Sequence, residues 1–173
     1  MSEQPEPIKK VSLIVSKGSL VDVYPALVMG NGARMEGMEA SIFFTFFGLG
    51  ALIKKTQNSL KVATVGNPAM NMAMPMLKMP ITMPFPTLLG AIPGVSNFAT
   101  WMMKNEMENL DIPTIPEFLE MFTDAGGEVF ACKLAMDMFK LEKEDLHEEV
   151  KGVLTIGDFY GKCGGDNTQI IFT

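Results

Sequence analysis

The chemistry open to this chain starts from two cysteines, Cys132 and Cys163, and one histidine, His147. Cys132 follows the strand-like run Glu128-Val129-Phe130-Ala131 and precedes an amphipathic stretch that opens at Lys133 and carries Leu134, Met138 and Leu141. At such a strand-to-helix turn, unpaired N–H groups and the positive end of the helix dipole favour a thiolate, the nucleophilic form of the side chain. Lys133 adds a nearby cation. The competing reading is structural, because a lone cysteine among apolar residues also serves as a small buried hydrophobe. Cys163, in Gly161-Lys162-Cys163-Gly164-Gly165, reads as part of a flexible, exposed turn and as incidental. The two cysteines make no CxxC pair, and with one histidine they do not furnish a tetrahedral zinc set, so neither a metal nor another cofactor is expected. His147 stands in the acidic stretch Glu144-Asp145-Leu146-His147-Glu148-Glu149 and reads as a surface histidine. No serine sits in a Gly-x-Ser-x-Gly elbow, which leaves a hydrolase triad without support. Lys17-Gly18-Ser19 invites comparison with a phosphate loop but lacks that motif's upstream glycine.

These residues need elements to place them. Residues 8–15 predict a first strand, and 16–19 a turn. From there Leu20, Val23, Tyr24, Leu27, Val28 and Met35 recur at helical spacing, with Ser19 as N-cap and Gly37 as the stop. Residues 39–45 predict a second strand, which completes a βαβ unit and hence a parallel pair. A short apolar helix is expected over 46–55. Residues 56–95 contain Pro68, Pro75, Pro80, Pro84, Pro86 and Pro93, too many for a long helix or a central strand, and predict an irregular insertion with one helical turn over 74–79. Helices are expected at 95–108 and at 117–125, the second capped by Thr114 and ended by Gly126-Gly127. A strand at 128–131, a helix at 133–140, an acidic helix or turn at 142–150, a strand at 153–156 leading into residues 158–162, and a last strand at 169–172 complete the pass. This alternation predicts a single α/β domain over residues 1–173, built on a mostly parallel sheet of about five strands with helices on both faces. In such sheets chemistry gathers at the carboxyl ends of the strands. That edge would collect Lys17, Gly18 and Ser19 after the first strand, Thr45, Phe46 and Gly48 after the second, Cys132 and Lys133 after the third, and Gly157-Asp158 after the fourth.

Composition narrows the function classes. With 47% hydrophobic and 20% charged residues the chain is globular and not disordered. A net charge of −6, with Lys9-Lys10 and Lys54-Lys55 as the local basic pairs, argues against nucleic acid as a partner. The longest apolar run, residues 42–53, is short of the roughly 20 residues a spanning helix requires. The acidic, proline-containing opening Met1-Ser2-Glu3-Gln4-Pro5-Glu6-Pro7 is unlike a secretory signal, and a cytoplasmic location with reduced thiols is expected. Nine of the 16 methionines fall between residues 70 and 107. Flexible thioethers there suit packing over the domain or between subunits, docking of a partner or membrane surface, or, as a third reading, Cu(I).

Three stretches carry a resemblance: Lys10 to Lys17 followed by Gly18, the run Ser41-Ile-Phe-Phe-Thr-Phe-Phe-Gly-Leu49, and Phe130-Ala-Cys-Lys-Leu-Ala-Met-Asp-Met138. From about residue 8 to the C-terminus the chain resembles the DsrE/DsrF-like family, and within it the DsrE-like sulfurtransferase subgroup often called a peroxiredoxin family. The resemblance implies a flavodoxin-like three-layer sandwich and assembly into homo-oligomers such as trimers or hexamers. It also implies sulfur relay, in which Cys132 carries sulfane sulfur as a persulfide between donor and acceptor proteins or small thiols. Residues 56–95 occupy the place where some relatives carry a membrane-contacting hydrophobic insertion. Relatives often have tryptophan at position 47 and glutamine at position 133, where this chain has Phe47 and Lys133. The alternative that the residues leave open is a non-catalytic binding module, with the methionine-rich loop docking a partner and Cys132 packed in the core.

Overall fold

The computed structural model describes residues 7–63, 71–72, 83–84 and 94–173. The chain forms two compact units, residues 1–60 with 113–173, and residues 61–112. Most of the methionine-rich tract, including the helical turn expected at 74–79, lies outside the described residues.

The larger unit is built on a five-stranded sheet made of β1 (Lys10–Val15), β2 (Glu39–Phe44), β5 (Glu128–Cys132), β6 (Val150–Leu154) and β7 (Thr168–Phe172). The spatial order is β6-β5-β2-β1-β7 and every pairing is parallel. Its helices are α1 (Leu20–Met35), α3 (Ile115–Asp124), α4 (Lys133–Phe139) and α5 (Ile156–Cys163). The steps β1 to β2, β2 to β5 and β5 to β6 all move the same way across the sheet, so right-handed crossovers put α1, α3 and α4 on one face. The connection from β6 to β7 runs back across the whole sheet and places α5 on the other. The result is the α/β sheet with helices on both faces that the sequence predicts.

Alternation along the strands sorts the core between the two faces. Leu13, Ile42 and Phe44 are fully buried against α1 and α3, where Gly30 of α1 lets Ile42, Leu13 and Phe122 close in. The opposite face carries Ser12, Ser41, Phe43 and Phe130 beneath α5. There Phe43 stacks on Phe159 at 4.8 Å, the Lys162 ammonium lies 5.1 Å from the Phe130 ring, and the Ser12 hydroxyl donates to the Cys163 carbonyl at 2.6 Å.

The helix ends follow their local chemistry. Gly37, at φ +78°, takes the left-handed position after α1, and its N–H donates to the Arg34 carbonyl. α3 starts at Ile115, two residues before the expected 117, because Thr114 and Glu117 form a capping box that accommodates Pro116 in the first turn. β6 ends at Leu154, two residues short of the expected 156, because Thr155 leaves the sheet to cap α5 with Asp158. The helix expected over 46–55 is instead a 3-10 segment, Phe46–Ala51, held by Gly48 N–H bonds to the Ser16 and Thr45 carbonyls. Gly48 and Gly50 weaken α propensity there, and the bond to the first strand's exit turn tightens the winding.

In the smaller unit, β3 (Asn71–Met72) and β4 (Met83–Pro84) pair antiparallel, and α2 (Val95–Asn109) follows Gly94 at φ +95°. The Thr100 hydroxyl of α2 accepts from the Val62 N–H and donates to the Ser96 carbonyl. Phe98 and Trp101 lie exposed on this helix with ring centroids 6.0 Å apart. No helix among the described residues is long and apolar enough to cross a membrane.

Candidate functional site

At the carboxyl edge of the sheet, two exit turns are forced together by glycine. A Cβ at Gly18 would overlap the Phe47 carbonyl, and one at Gly48 would overlap the Val15 carbonyl. Backbone therefore meets backbone at both points, and the Thr45 N–H donates to the Val15 carbonyl to close the seam. Phe46 follows at φ +44°, a left-handed conformation that a phenylalanine adopts only when its surroundings impose it. This fold-back turns Phe47 outward, where its ring meets Phe139 at the end of α4, 5.9 Å away.

Cys132 ends β5 beside this seam. It pairs in register with Leu154 of β6, and one step past the Phe44–Ala131 pair its neighbour on β2 is Thr45. Alternation places Cys132 on the same face as Phe130 and Thr45 on the same face as Phe43, which is the α5 face. Gly18, Thr45, Phe46, Gly48 and Cys132 are thus brought to one edge, as expected from the sequence.

Several expectations are corrected. Cys132 is only 2% exposed and so does not stand open at a helix mouth. α4, which it caps, has seven residues, so its dipole is small. Lys133 is bonded to Asp137 one turn along α4 and brings little net positive charge to the sulfur. Lys17 pairs likewise with Asp22 at 3.6 Å, and the Ser19 hydroxyl donates to the same carboxylate instead of capping an N–H, so these two residues serve the start of α1. Cys163 is not in an exposed turn. It ends α5 and is 1% exposed, because its helix packs on the Ser12 and Phe43 face. His147 is 7% exposed and not a surface residue, since its N–H donates to the Leu52 carbonyl and its Nδ1 accepts from the Glu149 N–H.

The sequence reading missed the role of α5. Thr155 and Asp158 close a full capping box on it: the Asp158 carboxylate accepts from the Thr155 hydroxyl at 2.6 Å and from its N–H, and the Thr155 hydroxyl accepts from the Asp158 N–H. These bonds, that of the Thr155 side chain first, hold the Asp158 carboxyl below its ordinary range. The signal was legible as Thr155-x-x-Asp158, but assigning the helix to the Cys132 face requires the strand order.

Comparison with known proteins fits this geometry. The profile of the DsrE/DsrF/DrsH-like family matches residues 7–171, nearly the whole chain. The chain is 36% identical over 156 residues to the sulfur carrier protein DsrE2 of Allochromatium vinosum, covering 89% of this chain and 94% of that protein. It is 26% identical over 145 residues to the uncharacterized protein YrkE of Bacillus subtilis, covering 84% and 86% of the two chains. Among solved structures it is similar to the ychN protein of E. coli, with a TM-score of 0.52 at 12% identity over 95% of this chain and 99% of that one, a likeness of fold. The chain belongs to the DsrE/DsrF/DrsH-like family.

Proposed function

Starting from that membership, we propose that the protein is a sulfur-relay protein that carries sulfane sulfur as a persulfide on Cys132. The observation that carries the reading is the position of Cys132, at the carboxyl end of a central strand among Gly18, Thr45, Phe46 and Gly48, in a chain 36% identical to a protein named as a sulfur carrier. The Cys132 thiolate attacks the outer sulfur of a donor persulfide. A new S–S bond forms to Cys132 as the donor's S–S bond breaks, and the donor leaves as a thiolate that takes up a proton. An acceptor thiolate then attacks the outer sulfur, and Cys132 leaves as its thiolate. The two exchanges are formally the same reaction, so no external oxidant or reductant is required. Burial of Cys132 delays side oxidation and makes each exchange depend on local opening beside the Phe46–Ala51 segment.

The same reading includes a reducing, cytoplasmic setting and assembly into a homo-oligomer. Apolar side chains left exposed on the α5 face, Ile170 and Phe172 of β7 and Tyr160 of α5, support the assembly. The test of the carrier is intact-protein mass spectrometry after incubation with polysulfide, on wild type and Cys132→Ser. A gain of about 32 Da per sulfur that the variant loses is the expected result.

Burial of both cysteines favours a second reading, a binding module in which Cys132 is packing alone. No sulfur adduct on a folded, reduced wild type would establish that reading and remove the first.

A further inference from the structure

The sheet of the larger unit has two edge strands, and they differ. At one edge, Lys151 is the extra residue where the register of β6 passes from Val129–Val150 to Phe130–Gly152, and its ammonium is ion-paired to Glu128. A bulge and a lysine are devices by which natural edges block further pairing. At the other edge β7 keeps an unbroken register with β1, and its sequence Thr168-Gln169-Ile170-Ile171-Phe172 holds neither charge nor proline. The bonds to β1 fix the direction of its backbone groups. The Thr173 N–H donates to the Ile14 carbonyl, and the Thr173 carbonyl accepts from the Ser16 N–H. Along a strand, the N–H and C=O of one residue point to the same side, and those of the next to the other. Gln169 and Ile171 therefore face β1 as Thr173 does. Thr168, Ile170 and Phe172 turn theirs outward, where no described strand pairs with them. Their side chains share the α5 face, through the register Ser12–Ile170 and Ile14–Phe172, and Ile170 and Phe172 are exposed there.

We propose that β7 is a self-pairing edge: two copies of the chain join β7 to β7, antiparallel about a two-fold axis at Ile170, and their sheets run on as one. The register follows from the strand itself. With Ile170 opposite its own copy, Thr168 falls opposite Phe172. Each of these pairs exchanges two N–H···O bonds, because all three residues point outward. On the α5 face Ile170 then meets Ile170 and Phe172 meets Thr168, with no like charges opposed. A strand from another protein would find the same backbone groups, but the match of this strand with itself favours a second copy, the isologous contact that a two-fold axis requires. The inference goes beyond the carrier reading, and sulfur transfer does not depend on it.

Disulfide trapping in the full chain tests the register, with wild type setting the background from the buried Cys132 and Cys163. The Ile170 Cα atoms of two copies would lie about 5.5 Å apart, within reach of a disulfide. Those of Thr168 would be offset by about 14 Å along the strands. Ile170→Cys should thus give a dimer on mild oxidation, joined at position 170 by peptide mass. Thr168→Cys and Phe172→Cys should cross-link when mixed and not when alone. Ile170→Pro removes an outward N–H and leaves the bonds to β1, so the sedimenting mass should fall by at least half with the urea midpoint little changed. An Ile170→Cys chain no better trapped than Thr168→Cys alone overturns the proposal, and so does an Ile170→Pro chain of unchanged mass. A wild type that sediments as a monomer overturns it too, and leaves the edge to a strand from another protein. If Ile170→Pro does not fold, the trapping decides. A chain that is trapped as expected but never takes up sulfur would overturn the carrier reading alone.

Discussion

At the residue scale the site depends on what two glycines lack. A methyl group at Gly48 would sit on the Val15 carbonyl, 2.8 Å from its carbon, and no flexible side chain is there to yield. Gly48→Ala should therefore cost about 2–4 kcal/mol, as overpacking against backbone does, and lower the urea midpoint accordingly. Gly32, inside α1 with nothing within 4 Å of its added Cβ, is the control. Gly32→Ala should stabilise by about 0.5–1 kcal/mol, the usual gain of alanine over glycine in a helix. A Gly48→Ala protein as stable as wild type would show that the two exit turns are not locked. Cys132 and Cys163 teach a related point. Both were weighed from the sequence by their immediate neighbours, yet burial is decided by which helix crosses above.

At the element scale α5 links local sequence to the site. Its capping box holds the Asp158 carboxyl below its ordinary range in the folded chain. A group depressed on folding adds stability while the unfolded chain is also ionised, and that contribution is lost as pH falls through the folded value. The wild type should thus exceed Asp158→Asn in stability above about pH 4, with the gap narrowing on further acidification. Urea unfolding at neutral and at acid pH measures the gap, and one of constant size would leave the carboxylate with no part in the cap. On the other face, Arg34 joins two helix ends: its Nε donates to the Ala125 carbonyl after α3 at 2.8 Å, and its Nη1 donates to the Met38 carbonyl after α1 at 2.7 Å. Arg34→Met should cost about 1–3 kcal/mol, since two carbonyls lose a charged donor. Lysine should restore only part, because a point ammonium cannot span both.

At the scale of the whole molecule, the order β6-β5-β2-β1-β7 leaves one face of the sheet to the eight-residue α5 among the described residues of the larger unit. That is little cover for five strands, and Phe172 at the β7 edge remains 67% exposed. If the apolar residues there are buried between copies, Phe172→Lys should reduce the assembled mass in sedimentation experiments, because a buried unpaired ammonium is costly. A wild type that sediments as a monomer, or a variant that sediments unchanged, would remove the assembly from this face. β7 carries no charged residue and no proline between Thr168 and Thr173, so the chain itself does little to block that edge.

Sequence by itself determined most of the sheet's strands and the helices between them, though not the 3-10 winding of Phe46–Ala51 or the β3–β4 pair. The alternation of apolar runs with helical spacing predicted the parallel sheet, Gly37 predicted the end of α1, and Gly126-Gly127 the end of α3. Placement at the carboxyl edge brought Gly18, Thr45, Phe46, Gly48 and Cys132 together before any coordinate, because a parallel sheet sends every strand's exit to the same side. Tertiary structure alone decided exposure and partnership. It buried Cys132 and Cys163, and turned Lys17 and Ser19 toward Asp22 and Lys133 toward Asp137. Periodicity specifies which face of its own element a residue occupies. What lies opposite that face depends on strand order and crossover hand, which arise from contacts between segments distant in sequence.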